Sequence, residues 1–338
     1  RGWKQTFDSL SNVHFRHFWL GMLVMMGAMQ MQMLARGYLV YDLTNQNAAV
    51  LGLVNAATAL PILVLALFGG AIADRMERKR IVQLGQTGAA ILALFIAISI
   101  SLGYITWWYL LATSVVHGSL MAMLMPARQS MIPQLVGKEM LGNAMALNAA
   151  GMSMSTMLAP ALAGGLYALI GPAGVYYVLC GMLVGSLLLT GLLPKSSNQD
   201  SAIKTSVLAD ISAGLSYIRR TRMVMVLLLL GLATTMLAMP FRFLMPVFVV
   251  DIYHKGPEAM GLLVSLMGLG TLVGSLFIAG LGKNRRGLLL ITLTFITGAA
   301  LLLVSIFPSY TLALGLMLLL GLGDAGRRAL NQALVMEV

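Results

Sequence analysis

Two apolar runs, Leu51 to Ala73 and Ile81 to about Ile100, flank a short charged stretch, GGAIADRMERKR at 69–80. Each run reaches the roughly 20 residues that a helix needs to cross a bilayer. The stretch between them carries the carboxylates of Asp74 and Glu77 and the cations Arg75, Arg78, Lys79 and Arg80. A chain built this way has to place its apolar runs in hydrocarbon and its charges in water. With 59% hydrophobic and 10% charged residues, it cannot bury its apolar surface in one water-soluble core.

The same alternation continues along the chain. Span one is expected at Phe18–Tyr41, span two at about Ala48–Ala73, span three to near Leu102 and span four from the aromatic pair Trp107 and Trp108 to near 126–133. Span five covers 144–170, GPAG turns the chain, and span six runs from Val175 to Leu193. The segment 194–206, PKSSNQDSAIKTS, has linker composition and divides the chain. Val207, Leu208, Ile211, Leu215 and Ile218 then recur at helical spacing, as in an amphipathic helix lying on the membrane surface. Spans seven to ten are expected at 223–250, 259–281, 288–307 and 311 to about 335. The expected domains are an N-terminal six-helix bundle at 1–193, a linker with its amphipathic helix at 194–222, and a C-terminal bundle at 223–338.

Lys and Arg distribute by side. If the amino terminus is cytoplasmic, nineteen of the 22 fall on the inner side, Arg128 among them, only Lys255 falls outside, and Arg36 and Arg242 lie within spans. That asymmetry predicts the cytoplasmic amino terminus. The basic excess does not cluster on a soluble face with aromatics between, so no nucleic-acid partner is expected. Cys180 is the single cysteine and sits in an apolar run, which removes disulfide frameworks and CxxC sites. No GxSxG, HExxH, Walker or Rossmann fingerprint occurs in a fitting context, so an enzyme is not expected, nor a cofactor or a metal.

The two halves repeat. YDLTNQNAAVLGL after span one matches VDIYHKGPEAMGL after span seven, pairing Asp42 with Asp251 and Gly52 with Gly261 at an offset of 209. Gly118 and Gln129 near the inner end of span four parallel Gly321 and Gln332 of span ten at an offset of 203. Span ten is therefore the fourth helix of the second half. The chain begins at Arg1 rather than Met, and a trimmed amino terminus and two further helices after Val338 are expected in the full protein.

Gly70, Asp74, Arg75, Arg78, Lys79 and Arg80 in GAIADRMERKR resemble the loop between the second and third helices of the major facilitator superfamily, with Glu77 where that family usually carries glycine. LARGYLVYDLT, PARQSMIPQLV and DISAGLSYIRRTR are similar to the superfamily's bacterial exporter branch, which includes enterobactin and small-drug exporters. The resemblance covers essentially the whole chain. It implies an all-α membrane protein of two pseudo-symmetric six-helix bundles, about ten of whose transmembrane helices lie in this sequence. It also implies a gating role for Gly70, Asp74, Arg75, Arg78 and Lys79. The bland alternative for Lys79 and Arg80 is that they serve only to orient the chain. Lys283 replaces the aspartate in the second half, so the gate is expected to be asymmetric.

Ionisable side chains at membrane depth are functional candidates because they are costly there. Asp324 lies near the middle of span ten and is expected either to take up a proton or to be neutralised by Arg327 and Arg328, three and four residues on. Arg36 and Arg242, toward the outer ends of the repeat-related spans one and seven, are candidates for an anionic substrate group, with snorkelling to the surface as the alternative. Gln32, His117 and Asn148 add uncharged hydrogen-bonding groups. The methionines of span one, from Met22 to Met33, read first as adaptable packing and second as a pliable wall for ligands. Gly270 and Gly274, Gly181 and Gly185, and APALAGG in span five are expected to bring helices close, with Pro160 as a bend.

The function that the resemblance implies, together with these residues, is secondary active transport in a bacterial inner membrane. A small amphiphilic, drug-like or siderophore-like molecule is exported by alternating access against proton entry. Its partners would be that substrate, protons and membrane lipid, and the protein would be a monomer. A lipid or lysolipid flippase of the same fold is the nearest alternative, and a non-transporting scaffold subunit of a larger assembly is the alternative from another class.

Overall fold

A bilayer offers no partners for backbone N–H and C=O groups, so runs of this length must bond internally as helices. The computed structural model describes residues 8–73, 77–194, 216, 218, 221–280 and 286–337, and those residues are helical apart from short connections. We number the helices α1 (Val13–Leu43), α2 (Ala48–Ala73), α3 (Arg78–Ser101), α4 (Trp107–Leu135), α5 (141–170), α6 (172–191), α7 (Arg222–Phe243), α8 (Pro257–Gly280), α9 (Arg286–Ile306) and α10 (Tyr310–Glu337). Helices α5 and α6 form one helical stretch, Leu141–Gly191, broken only at Gly171, where φ is 71° and ψ is 176°. That conformation is open to glycine and strained for other residues. The backbone stays helical through Pro160, and the break in φ/ψ falls within GPAG.

Local signals set the other boundaries. Asn12 caps α1 by accepting hydrogen bonds from the backbone of His14 and Phe15, and Asn47 caps α2 in the same way from Ala49 and Val50. Between these helices Asn45 and Gln46 take positive φ, which closes the turn. Helix α4 runs on to Leu135 through Pro126 and Pro133 rather than fading there. Helix α7 ends at Phe243, just past Pro240, and is followed by the turn Met245–Val247 and a π-helical turn, Phe248–Ile252, instead of continuing to residue 250. The amphipathic helix expected after the linker falls largely outside the described residues.

Eight of these helical stretches are long and apolar enough to cross a membrane, with Leu141–Gly191 counted once. Helix α10 is not among them, since Asp324, Arg327 and Arg328 lower its apolarity. Leu63, Leu169, Leu237 and Phe295 stand exposed on helix surfaces. Such a surface aggregates in water and is an ordinary contact face in lipid.

The chain divides into two compact units, Arg1–Ser201 and Ala202–Val338. In the first, α1 packs along the α5/α6 stretch, α2 on α4, and α3 on both α4 and the α5/α6 stretch. Phe15, Ile81, Met131, Val136, Leu147 and Leu193 gather one end of these helices into a common core. Several methionines of α1 join the interior: Met22, Met25, Met26 and Met31 are buried, in agreement with the packing reading. In the second unit α8 and α9 both pack on α10, around Leu227, Leu290, Leu293 and Leu330.

The repeat reappears as a contact. A Cβ on Gly118 of α4 would collide with the Thr58 carbonyl oxygen of α2, and one on Gly321 of α10 would collide with the Met267 carbonyl oxygen of α8. Thr58 and Met267 share the 209-residue offset of Asp42 and Asp251. The same seam holds Gly270 and Gly274, whose Cβ atoms would run into the carbonyl oxygens of Leu318 and Leu322. Without side chains here, the two backbones meet in direct van der Waals contact, the main source of helix association in lipid. Gly181 and Gly185 do not serve this purpose, because a Cβ on either would meet no atom of the described residues within 4 Å and Gly181 is on the exposed face of α6.

Gly321→Leu and Gly118→Leu are each expected to destabilise the protein by about 1–3 kcal/mol or more, since the obstructing atoms are backbone and the helices must separate. Gly298→Ala, whose Cβ would meet no atom of the described residues within 4 Å, is expected to be neutral or slightly stabilising. Thermal unfolding in detergent reads both, and an unchanged midpoint for Gly321→Leu contradicts the seam.

Candidate functional site

The polar groups of the first unit fall into three places. At the start of α3, Arg78 donates from Nη1 to the Ser130 carbonyl of α4 at 3.1 Å, and Lys79 donates from Nζ to the Gly191 carbonyl at 2.8 Å and to the Leu193 carbonyl. The Gly191 and Leu193 carbonyls belong to the end of α6, where unpaired C=O groups and the helix dipole favour a cation. Arg80 pairs with Glu77 at 3.0 Å and is largely exposed. Gly70 belongs to the last turn of α2, and Asp74 and Arg75 lie outside the described residues. Arg78 and Lys79 thus knit α3 to the ends of α4 and α6.

Deeper in, Arg36 of α1 is 7% exposed and donates from Nη1 to the Ser114 hydroxyl of α4 at 3.2 Å. It does not snorkel. His117, one turn beyond Ser114, and Tyr176 of α6 lie within its electrostatic reach. Both are buried, and His117 Nδ1 and the Tyr176 hydroxyl have no hydrogen-bond partner among the described residues. Gln32, one turn before Arg36, is buried as well. Asn148 stands apart on α5, with its Nδ2 3.9 Å from the Met152 sulfur and its Oδ1 unpartnered among the described residues.

The third place was not legible in the sequence. Gln86 of α3 donates from Nε2 to the hydroxyls of Ser186 at 2.8 Å and Thr190 at 3.1 Å on α6, and Ser186 donates on to the Gly21 carbonyl of α1 at 2.8 Å. This buried knot ties three helices together. Arg128 is equally unexpected: it is 3% exposed within α4 rather than a loop cation. No spacing rule distinguishes an inward Gln or Arg near a helix end from an outward one.

The second unit contains an open pocket. Ala238, Met239, Phe241, Met267, Leu301 and Leu320 give it apolar walls, and Arg242, Asp324, Arg327 and Arg328 gather at one part of its lining. Asp324 is bound on both oxygens, Oδ1 by Arg327 and Oδ2 by Arg328, each at 2.8 Å. The neutralising pairs expected from the i,i+3 and i,i+4 spacing are both formed. Arg327 also donates to the Thr234 hydroxyl of α7 and is almost fully buried, whereas Arg328 is about half exposed. Arg242, on the last turn of α7, lies within electrostatic reach of Asp324 and Arg328, and its Nε is buried without a partner among the described residues.

The structure therefore brings Arg36 together with His117 in one unit and Arg242 together with Asp324 in the other. Sequence spacing could not supply Ser114, Tyr176 or Thr234, because each faces its partner from a different helix. No group of three or more His, Cys, Asp or Glu suited to a metal ion occurs among the described residues. An apolar pocket with a few convergent charged groups suits a small amphiphilic ligand.

Comparison with known proteins bears on the same point. The sequence profile of a family described as transmembrane secretion effector matches residues 4–331. The chain is similar to macrolide efflux protein A of Streptococcus pyogenes, at 22% identity over 276 residues covering 80% of this chain and 68% of that protein. It is similar to the multidrug efflux pump Tap of Mycolicibacterium fortuitum, at 25% identity over 296 residues covering 82% of this chain and 70% of that one. Its fold is similar to that of the nucleoside transporter NupG, with a TM-score of 0.74 at 12% identity, covering 95% of this chain and 86% of that one. Apolar helices joined through glycine seams, buried charge held between them and a match along nearly the whole sequence agree: the chain is a multi-pass membrane protein belonging to the transmembrane secretion effector family of major facilitator superfamily transporters, and not an enzyme.

Proposed function

We propose that this protein exports a small amphiphilic molecule across a bacterial inner membrane by alternating access coupled to protons. The observation that carries the reading is the pocket of the second unit, apolar on most of its wall and charged around Asp324. Asp324 is the proton site in this reading. Its carboxylate is the shared anchor of two guanidiniums, so a proton on it releases both at once, Arg327 among them, which also bonds Thr234 of α7. A group that switches several contacts with one proton can bias two conformations of a carrier.

The reading extends to architecture and orientation. Two six-helix bundles with about ten spans in this sequence are supported by the matching seams of α2 with α4 and of α8 with α10, and by Gly171 acting as the turn between spans five and six. On this count Ala202–Val338 holds the greater part of the linker and four helices of the second bundle. Asp74, Arg75, Arg78 and Lys79 form the inner gate, and the amino terminus is cytoplasmic. Arg36, with Ser114, His117 and Tyr176, is a second polar position, enclosed here and reached by substrate only in another conformation of the cycle. The carrier works as a monomer in contact with lipid.

Two experiments test this. In proteoliposomes of the full protein, a panel including a macrolide and naphthalene-2-sulfonate is expected to contain at least one compound that moves several-fold faster under an imposed pH gradient. Asp324→Asn is expected to keep the fold and lose that gradient dependence. Gradient-independent flux, or an unaltered Asp324→Asn variant, rejects proton coupling through this residue. For orientation, a membrane-impermeant maleimide applied to intact cells is expected to label Lys255→Cys in a Cys180→Ser background, and to label Arg80→Cys only after permeabilisation. The reverse pattern rejects the cytoplasmic amino terminus.

A further inference from the structure

The charged part of the second unit's pocket is unbalanced. Arg242, Arg327 and Arg328 face one carboxylate, Asp324, and that carboxylate is already engaged on both oxygens. A cationic ligand therefore finds no free acid in this lining and meets three guanidiniums. An anionic ligand finds the opposite: Arg242 has a buried Nε with no partner among the described residues, and Arg328 is half exposed along the same lining. Arg327 is held in place by Asp324 and the Thr234 hydroxyl, and Arg242 sits on the last turn of α7, ahead of the π-helical turn at Phe248–Ile252.

A buried donor without an acceptor is costly, and a cation in a low-dielectric site costs more unless an anion meets it. A guanidinium offers planar paired donors that match the oxygens of a carboxylate, sulfonate or phosphate. Next to those donors Met239, Phe241, Met267 and Leu320 supply an apolar surface, part of it flat and part of it the pliable kind that thioethers give.

We propose that this pocket is an anion-selective amphiphile site, in which Arg242, with Arg328 beside it, receives the oxyanion of a ligand whose apolar body lies against Met239, Phe241, Met267 and Leu320. This deepens the reading of the pocket as the substrate's place, and it does not rest on proton coupling. Arg327 acts as a positioning residue, tied to Asp324 and α7.

The test uses three probes with one naphthyl body and different charge: naphthalene-2-sulfonate, 2-naphthylmethanol and 2-naphthyltrimethylammonium. Binding is measured by calorimetric titration of the full protein in lipid nanodiscs, with no gradient present. The sulfonate is expected to bind at least tenfold more tightly than the ammonium, with the alcohol between. Arg242→Gln is expected to weaken sulfonate binding about tenfold and to leave the alcohol unchanged, which also shows that the variant is folded. Arg242→Lys is expected to restore part of the loss. Equal affinity for sulfonate and ammonium, an Arg242→Gln variant that keeps the preference, or no measurable sulfonate binding overturns the proposal. Because this readout involves no proton gradient, anion preference without gradient-driven flux removes only the coupling claim, and gradient-driven flux without anion preference removes only this one.

Discussion

Hydrocarbon gives a helix nothing to bond with, and the rest of the structure follows from that. Backbone groups are satisfied within each helix, so association depends on how closely two helices approach. Glycines at Gly118, Gly270, Gly274 and Gly321 remove the side chains that would hold the pairs α2/α4 and α8/α10 apart. The same constraint governs charge. Cations between the helices find oxygen where they can: Arg78 and Lys79 on carbonyls, Arg36 on a serine hydroxyl, Arg327 on Asp324 and Thr234. What remains unsatisfied among the described residues in such a setting is informative, and His117 and Tyr176 beside Arg36, and Arg242 itself, are of that kind.

The two polar places differ in kind. Around Arg36 the partners are neutral and enclosed, and around Asp324 they are charged and open onto a pocket. Arg36 and Arg242 lie on the repeat-related helices α1 and α7, three residues out of register at the offset of 209, which pairs Arg36 with Met245. Among the described residues only the second is accompanied by an acid, because the residues of α10 that supply Asp324, Arg327 and Arg328 correspond to Met121, Leu124 and Met125 in α4 at the offset of 203. The repeat keeps the seam and varies the chemistry beside it.

Much of this was legible in the sequence. Apolar length and turn residues placed most helices to within about five residues, the end of span seven excepted, and internal similarity pointed to the paired glycines of the seam. Spacing along α10 also anticipated both ion pairs of Asp324. The rest depends on which way a side chain points across helices. Gln86, Arg128, Ser114, Tyr176 and Thr234 look ordinary in the sequence and become structural or site residues only when another helix arrives. Gly181 and Gly185 illustrate the converse: a small-residue pattern predicts close packing only if a neighbour occupies that face, and among the described residues none does.

The central claim is that the second unit's pocket, charged around Asp324 and Arg242, receives the ligand. A photoactivatable naphthalene sulfonate cross-linked to the protein in nanodiscs and mapped by mass spectrometry tests it most directly. The account predicts labels on Met239, Phe241, Met267 or Leu320 that disappear in excess unlabelled sulfonate. Labels confined to the outward-facing Met236 and Leu237, and insensitive to competition, would contradict it.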